Sequence, residues 1–386
     1  MKKKTILIAS LVLLGIVFGT ISLAFIRLPY LQKAILYFTP GINDYTIFEN
    51  RKVEARNPLP WKIASDYNRI QIPKKYRSEV EKNNTVAWLL VQDGEIIFEQ
   101  YWDGYSDSSY SNSFSMAKTI VALLVGIALE EGKIKSLQQS VGEFLPAYAE
   151  GEKSRITIEH LLIMSSGLNW NESYINPFAH TAEAYYGEDI ASTVMNLDVV
   201  ETPGKKFKYL SGNTQLLAYV VQAATGKKLS EYASEKLWTP LGAERPALWS
   251  LDKADGDEKA YCCFNSNARD FARLGQLILQ KGVFNNTRIL SEDYINKMTT
   301  PYRYLEDTTQ IYGYQIWIAD HKGHKIPYLR GILGQYVAVF PHKNAVFVRL
   351  GHLYTRSKVN GHHPDFLIYL DCVDEMLEMR KKINFQ

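Results

Sequence analysis

The sequence predicts an α+β fold: an antiparallel sheet flanked by helices, with a second, mostly helical subdomain beside it. Three observations lead there. Strand-like segments come first, a long run of helical segments follows, and strands return before a last helix, so the sheet is completed by both ends of the chain. Residues 86–92 and 95–102 are β-rich and meet at Asp93-Gly94, a strong short-range hairpin signal. The helical segments begin at or near Ser, Thr or Asn, and several stop against Gly, as capping prefers.

The chain has 386 residues, enough for one large domain or two interlocked ones. Its apolar fraction (46%) and charged fraction (22%) are those of a globular protein, and a net charge of +3 gives no case for nucleic acid. Lys2, Lys3 and Lys4 precede an apolar run over 6–26. A basic start before such a run is an export signal, and its length also suffices to span a bilayer. Ser22-Leu23-Ala24 is a passable cleavage site, but the run exceeds an ordinary signal core, which favours an uncleaved anchor. The expectation for 1–27 is therefore a signal peptide or anchor, with the rest of the chain on the outer side of the membrane.

Residues 28–80 carry five prolines and read as an irregular extension. Residues 81–141 and 301–386 are assigned to the sheet subdomain, and 142–300 to the helical one. Helices are expected over 115–131, 157–166, 213–225, 230–238, 267–280 and 291–298, and strands over 314–318, 335–340 and 345–350. The final helix starts at Pro364 and ends in Arg380-Lys381-Lys382, cations suited to a helix C-terminus.

The chemistry centres on Ser115 and Lys118. Residues three apart on a helix share a face, so Lys118 lies one turn from Ser115. A serine hydroxyl needs a base within hydrogen-bond reach, and a lysine serves if burial lowers its pKa. The helix that follows is apolar nearly all round, which marks it as buried. The structural alternative makes Ser115 an N-cap and Lys118 a surface residue, a poor account of a lone lysine at the start of so apolar a helix. Tyr209 falls on a loop after Pro203-Gly204, just before a helix, where a phenol projects into a cleft and a nearby ammonium lowers its pKa. Gly331, in Leu329-Arg330-Gly331-Ile332, precedes a strand, and glycine there permits close backbone approach by a ligand.

Taken in order, Ser115-x-x-Lys118, Tyr209 and the Gly331 strand edge resemble the serine β-lactamase and penicillin-binding-protein superfamily. Within it the chain is most similar to class C β-lactamase-like esterases and nylon-oligomer (aminohexanoate-oligomer) hydrolases. Residues 156–168, Trp238-Thr239-Pro240-Leu241-Gly242 and 268–275 agree, and the resemblance runs from about 84 to 380. It implies a β-lactamase/transpeptidase-like fold, with Ser115 acylated, Lys118 accepting its proton and Tyr209 passing a proton to the leaving group. It implies an oxyanion hole from the N–H groups of Ser115 and Ile332, and a substrate site drawing on Ser211, Asn213, Gly331 and Tyr186. No metal or cofactor is called for.

Two departures steer the substrate call. Ser211 stands where class C enzymes carry Asn, with Asn213 two residues later, which is the nylon-oligomer-hydrolase-like form. Leu329-Arg330-Gly331 replaces the Lys-Thr-Gly of β-lactamases, removing a group that holds a substrate carboxylate. The expected activity is hydrolysis of small esters or amides. The rivals are a D-Ala carboxypeptidase or β-lactamase, and a non-catalytic membrane-tethered binding protein, which would need none of the three site residues. Trp170, Tyr174, Tyr185 and Tyr186 rank lower as pocket-lining aromatics. Cys262, Cys263 and Cys372 read as small buried hydrophobes without a disulfide framework, and His321, His324, His362 and His363 as solvated loop residues.

Overall fold

The computed structural model describes residues 10–11, 13–15 and 25–384. Its centre is a seven-stranded sheet whose first hairpin is β3 (Thr85–Gln92) and β4 (Glu95–Tyr101). Asp93 and Gly94 both take positive φ, +55° and +79°, the backbone that a tight two-residue hairpin turn requires. The C-terminal part adds β10 (Trp317–His321), β11 (His324–Gly331), β12 (Gln335–Phe340) and β13 (Ala345–Gly351), and β2 (Lys62–Ile63) joins at the far edge, giving the order β10-β11-β12-β13-β3-β4-β2; β5 (Ser111–Asn112), β7 (Phe264–Ser266), β8 (Val283–Phe284) and β9 (Thr287–Arg288) belong to two smaller sheets. The pairings are antiparallel except that of β2 with β4.

Alternation along β3 sends side chains into two cores, which is why nearly every residue of that strand is apolar and buried. Trp88 and Leu90 pack with Phe347, Phe366 and Tyr369 under the C-terminal helix. Leu89 and Val91 face the other core, with Val337, Val346 and Leu274. The helices are α1 (Tyr30–Tyr37), α2 (Lys74–Lys82), α3 (Ala117–Glu130), α4 (Ile158–Leu162), α5 (His180–Tyr186), α6 (Ile190–Met195), α7 (Ser211–Thr225), α8 (Leu229–Ala233), α9 (Ala268–Leu279), α10 (Glu292–Met298) and α11 (Pro364–Asn384). On α9, a Cβ at Gly275 would lie 2.5 Å from Val346, so the glycine sets how closely that helix seats on the sheet.

The capping logic holds at three of the six helix starts and fails at Ser115, Asn213 and Ser230, where the residues before the helices are Met116, Leu210 and Lys228. Thr157, Asn267 and Ser291 accept the N–H groups of His160, Asp270 and Tyr294, and Gly226 closes α7 in the left-handed conformation. Several expectations are corrected. α3 begins at Ala117 rather than 115, because Phe114–Met116 forms a separate 3₁₀ turn. β11 was not foreseen as a full strand: Pro327 argues against one, and it is tolerated because the ladder to β12 begins only at Tyr328. Residues 28–80 are not irregular throughout; they hold α1, α2, β2 and β1 (Asn50–Val53), which pairs with β6 (Ala247–Ser250).

Three of the four histidines read as solvated are buried: His321 bonds Asp374 at 2.9 Å, His362 bonds the Tyr328 hydroxyl at 2.7 Å, and His363 bonds the Ser357 carbonyl. Burial beside Arg330 pulls His362 and His363 down to about 4. Cys262 and Cys263 form a disulfide between adjacent residues, so the reading of them as separate apolar side chains fails; Cys372 is a free, buried thiol. Among the described residues no helix is long and apolar enough to cross a membrane, and most of the 6–26 run lies outside them.

Candidate active site

Ser115 sits in the 3₁₀ turn that leads into α3. The residue before it, Phe114, takes φ +44°, a conformation a bulky residue rarely adopts. Its N–H donates to the Asn112 side chain at 2.8 Å, which holds the turn. α3 is apolar and buried from Ala117 to Ala128, so the amine at its start is held out of bulk water. Lys118 is 1% exposed; its Nζ donates to Ser115 Oγ at 3.1 Å and to the Tyr261 carbonyl at 2.8 Å. Burial pulls its pKa down to about 8, against the smaller opposing pull of Glu172.

Tyr209 completes the group. Its ring lies 5.1 Å from Lys118 Nζ, and its hydroxyl interacts with Ser115. Sequence reasoning expected the ammonium to lower this phenol, and the structure reverses that. Burial and then the Glu172 carboxylate raise it, and outweigh the Ser115 hydrogen bond and the Arg330 charge. The phenol therefore keeps its proton at neutral pH.

The turn after β11 forms the opposite edge. A Cβ on Gly331 would lie 2.2 Å from the Ser113 carbonyl, so the close approach this glycine permits is by the chain's own backbone rather than by a ligand alone. Ile332 follows on the cavity edge, and left-handed Leu333 and Gly334 turn the chain into β12. The buried Arg349 guanidinium donates to the carbonyls of Leu333 and Gly334, and Gln335 Nε2 to that of Ile332. Arg330 leaves the cavity: its guanidinium stacks 3.4 Å from the centroid of the Trp317 ring and donates to the Gly361 carbonyl.

Ser115 opens onto a cavity of about 300 Å³. Ile332, Ser211, Tyr261 and Cys262 line the wall near it, and Tyr185 and Tyr186 of α5 line another. The Tyr186 hydroxyl is buried without a hydrogen-bond partner among the described residues. Tyr174 also lines the cavity, whereas Trp170 is buried and stacks on His180. Asn213 does not line it: its amide is engaged by the Ser166 hydroxyl at 2.6 Å and by Met164. Ser211, the first residue of α7, lies in the wall instead, its N–H and hydroxyl both donating to Glu172 at 2.7 Å. Glu172 thus caps a helix whose own N-cap, Leu210, has no side-chain acceptor.

With this geometry in place, the likeness to known proteins is direct. A model of the Beta-lactamase family matches residues 76–363. The chain belongs to the beta-lactamase family. Among curated relatives, a 6-aminohexanoate-dimer hydrolase from Paenarthrobacter ureafaciens is 28% identical over 57% of this chain and 58% of its own length. An N-acetylmuramyl-L-alanine amidase from Bacillus subtilis is 24% identical over 55% of this chain and 63% of its own. The chain thus matches less than two thirds of either relative. Solved structures share the fold. One from Bacillus anthracis, provisionally named a 6-aminohexanoate-dimer hydrolase, superposes with a TM-score of 0.74 at 21% identity, covering 88% of this chain and 94% of that one. A family VIII carboxylesterase gives 0.63 at 16% identity, covering 82% and 99%.

Three components of the site carried no sequence signal that was used. Glu172 stands between two aromatics that were noted, and a carboxylate in such a stretch was the available clue. Tyr261 acts through its carbonyl, which any residue supplies. A further part of the wall comes from Ala34, Ile35 and Phe38, in the extension taken as irregular.

Proposed function

We propose that this chain is an exported serine hydrolase of esters or amides that works through an acyl-enzyme on Ser115. The observation that carries the reading is the 3.1 Å contact between Ser115 Oγ and a buried lysine whose pKa is drawn down to about 8. Neutral Lys118 takes the Ser115 proton as Oγ bonds to the substrate carbonyl carbon. The N–H groups of Ser115 and Ile332 receive the oxyanion. Tyr209, protonated because of its burial, gives its proton to the leaving oxygen or nitrogen as that bond breaks, and recovers one from the Lys118 ammonium. Water then releases the acid and restores the serine. Ser211 and Tyr186 line the substrate space, and Gly331 lets the Ile332 turn close on Ser113. Leu329 is fully buried and Arg330 is stacked on Trp317, so neither occupies the place of a carboxylate holder, which weighs against a carboxypeptidase or β-lactamase. Location outside the cytoplasm, with 6–26 as anchor, rests on the basic start and apolar run.

Intact mass after exposure to a fluorophosphonate tests the nucleophile. One adduct is expected, absent in Ser115→Ala and strongly slowed in Lys118→Ala, with p-nitrophenyl acetate turnover following the same order. No adduct and no turnover in the folded protein would overturn the reading. Labelling by a fluorescent penicillin would revive the cell-wall alternative.

A further inference from the structure

The cavity mouth is rimmed by side chains that an aqueous enzyme has no reason to expose. α1 buries Tyr30, Leu31 and Ala34, and packs against α5. Its other side presents Ile35 at 60% exposure and Leu36 at 74%, followed by Phe38 at 83%. Across the mouth, the loop before α5 exposes Ile175 at 90% and Phe178 at 65%. Ile35, Phe38 and Ile175 also line the cavity, so the exposed apolar surface and the lining are one continuous surface. Scattered exposed apolar residues are ordinary, but a contiguous patch at a binding mouth marks an interaction site. Tyr37 is partly exposed beside it, an amphipathic ring of the kind enriched at membrane interfaces.

The occupant follows from what precedes α1. Three residues separate the apolar sequence over 6–26 from α1; in its described parts Phe25 packs on the core, while Leu11, Leu13, Leu14 and Ile26 are exposed. Lys2, Lys3 and Lys4 at its start and Arg27 at its end suit anionic headgroups. A segment with that affinity, joined to α1 by so short a link, holds the mouth at the surface it enters.

We propose that the cavity mouth docks on a lipid bilayer and that the substrate is a membrane-resident amphiphile, an uncharged ester or amide whose acyl chain passes from the bilayer into the cavity. This rests on the hydrolase reading: the acyl carbon bonds to Ser115 Oγ, the headgroup alcohol or amine leaves with a proton, and water releases the fatty acid.

The test uses the full chain with phosphatidylcholine/phosphatidylglycerol vesicles. An NBD probe attached to the Phe178→Cys variant is expected to brighten and shift to the blue on adding vesicles, and to be quenched by nitroxides in the acyl chains. Leu36→Asp/Phe178→Asp, which changes no cavity-lining residue, is expected to lower turnover of a vesicle-embedded long-chain ester by at least about tenfold while p-nitrophenyl acetate turnover in solution is kept. A probe that stays in water with vesicles present overturns the proposal. So does a probe that responds to protein concentration without vesicles, which would make the patch an interface between copies. Equal turnover of the embedded ester by wild type and the double variant also overturns it. Probe insertion is read without turnover, so loss of p-nitrophenyl acetate activity in wild type strikes the hydrolase reading alone.

Discussion

Lys118 and Lys259 are both buried, and both lose the solvation that keeps an ammonium charged, yet they stand in opposite chemical settings. Lys118 is drawn to about 8 and faces a hydroxyl that can give up a proton. Lys259 is drawn to about 7, against the smaller opposing pull of Asp252; among the described residues its Nζ donates to the carbonyls of Ala184 and Gly187, at the end of α5, and lies over the face of Phe48. Carbonyls accept hydrogen bonds and have no proton to exchange. Lys259 therefore satisfies the C-terminus of the helix that carries Tyr185 and Tyr186, while Lys118 has a titratable partner. A depressed pKa marks desolvation; a reacting neighbour is what makes it useful.

The comparison breaks most visibly on activity. Lys118→Met is expected to lower kcat/KM for p-nitrophenyl acetate on the order of 10²–10⁴-fold, and Lys259→Met to lower it less than about tenfold. Comparable losses would show that Lys259 acts in the reaction. Tyr209→Phe comes next: on an amide the loss is expected on the order of 10²-fold, and on p-nitrophenyl acetate much less, because p-nitrophenolate leaves without a proton. Equal losses on both substrates would remove Tyr209 from the leaving-group step.

Stability separates the two lysines by pH. Each has a folded pKa below the ordinary 10.5, so the unfolded chain binds the extra proton and folding is penalised at low pH. The penalty is full below the folded pKa and is relieved as pH rises from about 7 for Lys259, or about 8 for Lys118, toward 10.5. Lys259→Met removes it, so the variant should melt on the order of a few °C above wild type at pH 6, with the gap closing by pH 9.5. Thermal melts across that range check the sign. The smallest effect concerns Glu172, whose charge raises Lys118. Glu172→Gln should move the acid limb of the pH–rate profile down by less than about one unit. A shift upward would contradict that assignment.

How much of this was legible depended on whether the signal was local. Ser115 and Lys118 are one helical turn apart in the sequence pattern, so spacing paired them, and the resemblance to the β-lactamase superfamily joined Tyr209, on the loop before its helix, to the pair. The two-faced burial of β3 was likewise written in its apolar run. What escaped depends on distant partners. Glu172 matters because it meets Ser211 across the fold, and Tyr261 because its carbonyl reaches Lys118. The histidines were taken for solvated because Asp374 and Tyr328, which hold His321 and His362, are far away in sequence. The raised Tyr209 shows the same thing quantitatively: the lysine was in view, but the depth of burial was not.

The helix α1 lies outside residues 76–363, the part shared with the family, and yet it forms a wall of the cavity. On the proposed function, part of the wall that would set selectivity thus comes from a stretch of sequence separate from Ser115, Lys118 and Tyr209. Mutations in residues 30–40 can reshape what enters while leaving the turn around Ser115 and its lysine untouched, so a lineage can change its diet by editing the extension alone. Relatives that keep Ser115, Lys118 and Tyr209 but carry a different leader should then differ in substrate more than the rest of their sequence suggests.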